Sequence, residues 1–192
     1  KGEATRARIV EATADRILAA GIGATSLDDV RADTSTSKSQ LFHYFPGGKA
    51  ELVRAVVAFQ GERVLDAQRP ALDTLDSLAA WEAWRDALVA HYRAQPHFGC
   101  PIGSLSAEAA GTDPELSRQI DAYMRGWRRA LQDGLERMDL RDDADPERLA
   151  ASLFAAVQGG LLLTRTEQAL WPLEAALDGA LVQVRAAVAP TH

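Results

Sequence analysis

The chain has 192 residues, 47% of them hydrophobic, and a net charge of −6. That balance suits a globular protein with a real core, in one domain or two small ones, and excludes fibrous and low-complexity classes. A single cysteine, Cys100, excludes an intrachain disulfide and suits a reducing cytoplasm. The longest apolar runs, such as Leu161-Leu162-Leu163, are short, so no membrane span is expected. No basic-apolar leader opens the sequence, so export is not expected.

Charge is unevenly spread. Residues 1–49 carry seven Lys/Arg against six Asp/Glu, and the remaining residues carry 14 against 21. All three lysines, Lys1, Lys38 and Lys49, fall in the first stretch. A near-neutral head on an acidic body directs a polyanion towards the head alone.

In chain order, Ile9, Ala12, Thr13, Ile17 and Ala20 recur at helical spacing, which predicts a helix over 3–20 that Gly21 stops. Ser26 with Asp29 three places on forms a capping-box pattern for a short helix through Ala32. A polar break at Asp33-Thr34-Ser35-Thr36 leads to a second short helix near 37–43. Pro46-Gly47-Gly48 breaks the chain again, and 49–68 reads as a longer helix with Leu52, Val53, Val56, Val57, Phe59 and Val64 apolar. No alternating run of β-branched residues appears, so no sheet is expected.

A short capped helix, a turn and a second short helix make a helix-turn-helix, whose second helix enters the major groove. Ser37 caps that helix and has a hydroxyl for phosphate, and Lys38 supplies charge. Ser39 and Gln40 can reach base edges, Gln40 with a two-pronged contact to adenine. Leu41 and Phe42 are expected to turn inwards. His43 and Tyr44 stand where the helix leaves the groove, and Lys49 at the start of the next helix can meet a phosphate.

The stretch from Arg8-Ile9-Val10 through Gly21, then Thr25-Ser26-Leu27-Asp28-Asp29-Val30, then Ser37-Lys38-Ser39-Gln40-Leu41-Phe42-His43-Tyr44-Phe45-Pro46-Gly47-Gly48-Lys49-Ala50-Glu51-Leu52, resembles the DNA-binding domain of TetR-family transcriptional repressors. The resemblance covers about 50 residues and adds Thr25 and Ser26 to the expected DNA contacts. It implies an all-α fold of about nine helices: a three-helix helix-turn-helix domain over 1–48 and a helical-bundle ligand-binding and dimerisation domain over 49–192, with 49–68 connecting them. It further implies a homodimer and repression relieved by a small molecule. Two departures stand out. Thr34 and Ser35 occupy a turn where the family often has glycine, and Arg16 stands where an apolar residue is usual, so it is expected to snorkel or reach towards DNA.

Beyond residue 68 the pattern predicts helices over 75–94, 102–110, 113–138, 146–170 and 172–188, three of them opened by Pro114, Pro146 and Pro172. The last two are rich in small residues and leucine. Leu153, Ala156, Gly159, Gly160, Leu173, Ala176, Leu177, Ala180, Leu181 and Val184 are expected to form a dimer face, a four-helix bundle across a two-fold axis. Paired glycines inside a helix mark close approach.

Trp81, Trp84, Tyr92, Phe98, Tyr123 and Trp127 crowd the middle of the chain. A cavity lined by aromatics with a few polar groups is a usual small-molecule site. The expected pocket comprises Trp81, Trp84, Leu88, His91, Tyr92, Phe98, Cys100, Ile102, Tyr123, Met124 and Trp127, with Gln158 as an orienting amide. The phrase Phe98-Gly99-Cys100-Pro101-Ile102-Gly103-Ser104-Leu105 resembles one in the family branch of lincomycin-resistance and flavonoid-responsive regulators. That resemblance implies a planar, aromatic or lipophilic effector and control of a neighbouring exporter or catabolic gene.

Two rival readings concern Cys100: a redox- or metal-responsive switch, or a Cys-His enzyme using His91 or His97. A nucleophilic cysteine needs a lowered pKa and an orienting third group, and a metal site needs more ligands at defined spacing. Neither is evident, so no enzyme, cofactor or metal is expected. The reading is a cytoplasmic, nucleoid-associated repressor. It binds a near-palindromic double-stranded operator as a homodimer, and effector tilts the 49–68 helix to change head spacing.

Overall fold

Nine α-helices follow one another in the computed structural model, which describes residues 2–95, 98–109 and 113–190. They are α1 Gly2–Ala24, α2 Leu27–Thr34, α3 Lys38–Tyr44, α4 Gly48–Asp66, α5 Leu78–Arg93, α6 Pro101–Ala109, α7 Pro114–Glu136, α8 Pro146–Glu167 and α9 Trp171–Ala187, with a 3-10 turn at Ala71–Thr74. Among the described residues there is no strand, only an isolated bridge between Leu140 and Val188. The chain is all-α, as its apolar periodicity requires. The described residues divide into two compact units: those of Lys1–Arg63 with Pro101–Ala122, and those of Val64–Cys100 with Tyr123–His192.

In the first unit, α1 buries Ile9, Val10, Thr13, Ala14 and Ile17. Gly21 then breaks the helix with φ 87° and ψ 165°, a region essentially reserved for glycine. The α2 start is the capping box expected: the Ser26 hydroxyl accepts the Asp29 amide hydrogen at 3.1 Å while Asp29 accepts from the Ser26 amide at 3.1 Å. In the turn after α2, Ser35 takes the left-handed conformation at φ 50°. This is the place where a glycine would relax the backbone, and Ser35 bears that strain instead. Arg16, expected to snorkel or reach towards DNA, donates to Asp33 of α2 at 2.7 and 3.0 Å and stands 3.9 Å from Asp29.

In the second unit, α5 buries Trp81, Trp84, Leu88, Val89 and Tyr92. Leu153, Val157 and Leu161 of α8 close on Leu173, Leu177 and Val184 of α9, and all six are fully buried. Gly160 allows the approach: a Cβ there would lie 2.9 Å from Ala176 Cβ and 3.0 Å from Leu173 Cα. Ion pairs Arg85–Asp178, Arg93–Glu174 and Arg185–Glu82 tie α5 to α9 along the surface. Gly134 of α7 lets Leu75 pack directly on the helix backbone. By length and composition α8 could cross a membrane, which its short apolar runs had not suggested. Its Leu153, Val157, Gly160, Leu161 and Thr164 are instead buried within the protein.

Candidate nucleic-acid interface and ligand site

The second helix of the helix-turn-helix is built from its own first turn. The Ser37 hydroxyl accepts from the Gln40 amide at 3.1 Å, and Gln40 Oε1 accepts from the Ser37 amide at 3.0 Å. Satisfying two orphan amides at once stabilises a helix of seven residues that would not persist alone. The Gln40 side chain therefore folds back on its own cap, with its carbonyl engaged and its Nε2 hydrogens left to donate.

Packing then sets which face is offered. Leu41 and Phe45 are fully buried, one turn apart, and the Arg6 guanidinium lies 5.1 Å from the Phe45 ring centre. Phe42 was expected inside with Leu41, but is 40% exposed, because one residue on from Leu41 is a rotation of about 100°. Ser37, Lys38, Ser39, Gln40, Phe42 and His43 are exposed together, and Tyr44 is half-buried with His43 edge-on at 5.0 Å. Lys49 is half-buried in the first turn of α4. Ser26 is exposed, with its hydroxyl donating to Asp29 at 2.6 Å. Thr25 differs from the others: it is buried, and its hydroxyl donates to the Gly21 carbonyl at 2.9 Å. Hydrogen bonds from Ser26 hold the Asp29 carboxyl below its ordinary value, and those from Arg16 do the same for Asp33.

A contact invisible to sequence reasoning also belongs to this unit. Glu108 of α6 accepts the Ile22 amide hydrogen at 2.5 Å, capping the last turn of α1 beyond the Gly21 break. No local pattern links positions 86 residues apart.

In the second unit the expected pocket residues sort into two kinds. Trp81 and Trp84 are fully buried and meet edge-to-face at 5.6 Å. Both indole N–H groups are used by the protein: Trp81 donates to Met138 Sδ at 3.0 Å, and Trp84 to Gln68 Oε1 at 2.9 Å. With Leu88, also fully buried, they form core. His91 is half-buried, edge-on to Tyr92 at 5.0 Å. Phe98, Tyr123 and Met124 are half-buried. Ile102 is buried in the first unit, on α6.

Trp127 behaves differently. It is buried against Phe154, ring centres 5.3 Å apart, yet its N–H has no partner. Gln158 Nε2, one turn after Phe154, is buried and unpartnered too, as is Thr164 Oγ1, while the buried Tyr92 Oη has the Cys100 thiol beside it. An unmet buried donor costs about 1–3 kcal/mol, so such atoms ask what completes them. Burial, with the Cys100 thiol as polar neighbour, pushes the Tyr92 phenol well above its ordinary value. Cys100 itself is buried, and His97 lies outside the described residues. Among the described residues no cluster of His, Cys, Asp and Glu could hold a metal ion. Phe154 and Thr164 were not foreseen. For Phe154 the signal was present, since it stands at i−4 from Gln158.

The expected dimer face also divides. Leu153, Leu173, Leu177 and Val184 are fully buried inside one chain, and Gly160, Ala180 and Leu181 are buried with them. Expected at a dimer face, these seven seal α8 to α9 within one chain. Ala156 and Ala176 are half-buried, while Gly159 is exposed with nothing near its Cβ position. The outward apolar side chains of these helices are Leu162, Leu163, Trp171 and Val182, exposed by 50–65%.

Comparison with known proteins agrees with this architecture. Residues 9–56 match the bacterial regulatory proteins of the tetR family, and residues 77–185 match the LmrA/YxaF-like transcriptional regulator C-terminal domain. A helix-turn-helix transcriptional regulator of Mycobacterium tuberculosis is 30% identical over 183 residues, 88% of each chain. The transcriptional regulator LmrA of Bacillus subtilis is 21% identical, over 88% of this chain and 90% of its own. The crystal structure of a TetR transcriptional regulator from Chloroflexus aurantiacus superposes with a TM-score of 0.83 at 25% identity, covering 98% of each chain. An amino-terminal helix-turn-helix and a carboxy-terminal bundle of matching type make this chain a member of the TetR family of transcriptional regulators, in its LmrA/YxaF-like branch.

Proposed function

We propose that this regulator is a ligand-released repressor that grips a near-palindromic operator as a homodimer. The observation that carries the reading is the outward row of Lys38, Ser39, Gln40 and His43 on a helix seated by buried Leu41 and Phe45. Such a row presents donors to the major groove while Lys49, Tyr44 and Ser37 meet phosphates. Thr25 acts from inside, holding the end of α1, and Ser26 from the cap of α2. The dimer forms through Leu162, Leu163, Trp171 and Val182, with Gly159 letting helices approach. The functional division is a reading head over 1–48 and a sensing and dimerising body over 49–192.

The unpartnered donors around α8 support an effector site in the second unit. The α4 helix runs from one unit into the other, since residues up to Arg63 belong to the first. Effector binding shifts α4 and so changes head spacing; allosteric couplings of roughly 1–3 kcal/mol are typical. The protein acts in the cytoplasm on the nucleoid, without cofactor and without catalysis. A switch at Cys100 is the weaker reading, because that thiol is buried and lies against a phenol.

Fluorescence-anisotropy titration tests the proposal, using DNA from upstream of the gene and a scrambled control at two salt concentrations. Selective binding that weakens steeply with salt is expected. Equal, weak binding to both, with no enriched motif from a random-sequence selection, overturns it.

A further inference from the structure

We propose that the first unit holds a small-molecule site of its own, a cleft between α1, α4 and α6 that takes a short, unbranched, uncharged molecule ending in a hydroxyl. The site belongs to the unit that carries the helix-turn-helix, and the inference stands independently of the effector reading of the second unit.

Three helices converge on the cleft. Ile17 and Leu18 of α1, Val56 and Gln60 of α4, and Ser104 and Leu105 of α6 line it. Val56 and Gln60 stand one turn apart, so both face the same way.

Gln60 points to a ligand. It is 4% exposed, and among the described residues its amide has no hydrogen-bond partner. Gln68, eight residues on, is the contrast: its Nε2 donates to the Val64 carbonyl at 2.8 Å and its Oε1 accepts from Trp84 at 2.9 Å. Native proteins rarely leave a buried amide unmet at both ends. The Gln60 amide offers N–H donors and a carbonyl acceptor, so a hydroxyl answers either end, donating to Oε1 or accepting from Nε2.

The walls exclude charge. None of the residues lining the cleft is ionisable at neutral pH, so a carboxylate or an ammonium would be buried without a counter-ion. Glu108, the charged residue of α6, lies outside the lining and accepts the Ile22 amide hydrogen. Ile17, Val56 and Leu105 are buried and Leu18 is half-buried, so the rest of the wall is aliphatic. The cleft measures about 220 Å³ with its open mouth included, below the ~300–1,000 Å³ of sites for drug-sized ligands. Its closed part is narrow, with room for about one water-sized group. A hydroxyl followed by a straight chain of roughly four carbons fits that shape, and a ring does not.

The test titrates the full chain with n-butanol, butyronitrile and butyrate, and follows backbone and side-chain amide shifts by NMR. Saturable shifts with n-butanol are expected at Ile17, Leu18, Ser104, Leu105 and the Gln60 amide, with a Kd in the millimolar range, about what five heavy atoms supply. Butyronitrile has only an acceptor and butyrate is charged, so each binds at least about fivefold more weakly. Gln60→Met, of similar length, loses the preference for n-butanol and keeps or raises the melting temperature. Shifts that never saturate overturn the inference, because water alone then occupies the cleft. So do equal affinities for the three probes, or saturable shifts confined to the second unit. A Gln60→Met melting temperature lowered by several degrees also overturns it, since the amide then serves the fold. Operator binding and its release by effector are read in a separate assay and survive each of these outcomes.

Discussion

Glu108 Oε2 accepts the Ile22 amide hydrogen at 2.5 Å, so a carboxylate from α6 caps a turn of α1 that Gly21 has broken away. The last turn of α1 carries Thr25, whose hydroxyl returns to the Gly21 carbonyl, and Ser26, which caps α2. A side chain remote in sequence thus fixes the entry to the helix-turn-helix.

Glu108→Ala should loosen that entry. Loss of a helix cap is worth roughly 1 kcal/mol, or about fivefold faster amide hydrogen exchange at Ile22. Glu108→Gln keeps an acceptor and should show a smaller increase. Unchanged exchange at Ile22 in Glu108→Ala would show that the contact is not holding the turn.

Gln40 holds the Ser37 amide and, in the function proposed above, donates to DNA, and substitution can separate the two. Gln40→Glu keeps an acceptor for the Ser37 amide, and a negative charge suits a helix N-terminus. It removes the donor offered to DNA. Operator affinity should therefore fall by roughly 1–3 kcal/mol while melting temperature holds. Gln40→Ala loses both and should relax base preference as well as weaken α3. Lys49→Ala should weaken binding to every sequence and reduce the salt slope by about 1.

Gly159 and Gly160 are neighbours with opposite expectations. Alanine at Gly160 must displace α9 backbone and should cost roughly 1–3 kcal/mol in denaturant unfolding. Alanine at Gly159 meets nothing within the chain and should gain up to about 1 kcal/mol of helix propensity. Any penalty at Gly159 that depends on protein concentration would locate it in the dimer interface.

Val182→Glu and Leu163→Glu should leave the monomer folded, since both side chains point outwards. Sedimentation should then show a monomer, with operator binding lost because paired heads read paired half-sites. Leu177→Glu, at a fully buried position, should instead prevent folding. A fully dimeric Val182→Glu, Leu163→Glu double variant would remove that face from the assembly.

Acid should act on the head through Asp33 and Asp29. Both carboxyls are held below their ordinary value, so their contribution is complete above about pH 4 and is lost as pH falls through the lowered values. Asp33→Asn should flatten part of the acid limb of a stability-versus-pH profile and leave neutral pH little changed, because the Arg16–Asp33 pair is solvent-exposed. An acid limb identical to wild type would mean that the pair does not contribute.

Much of this protein is local. The capping boxes at Ser26 and Ser37, the Gly21 break, the proline-led starts of α7 and α8 and the 3.6-residue apolar stripes are short-range, and each helix begins and ends close to where its residues require. The exposed polar row of α3 was legible for the same reason, since it lies within one heptad. Tertiary packing decided what no window could show. It turned Phe42 out and Thr25 in, paired Arg16 with Asp33, and brought Glu108 to Ile22. It spent Trp81, Trp84, Leu153, Leu173 and Leu177 on the core and left Trp127 and Gln158 unmet. Sequence periodicity states that a residue is apolar and on which stripe it lies. Which neighbour covers that stripe, and whether a donor finds an acceptor, depends on residues tens of positions away, brought near only when the helices pack.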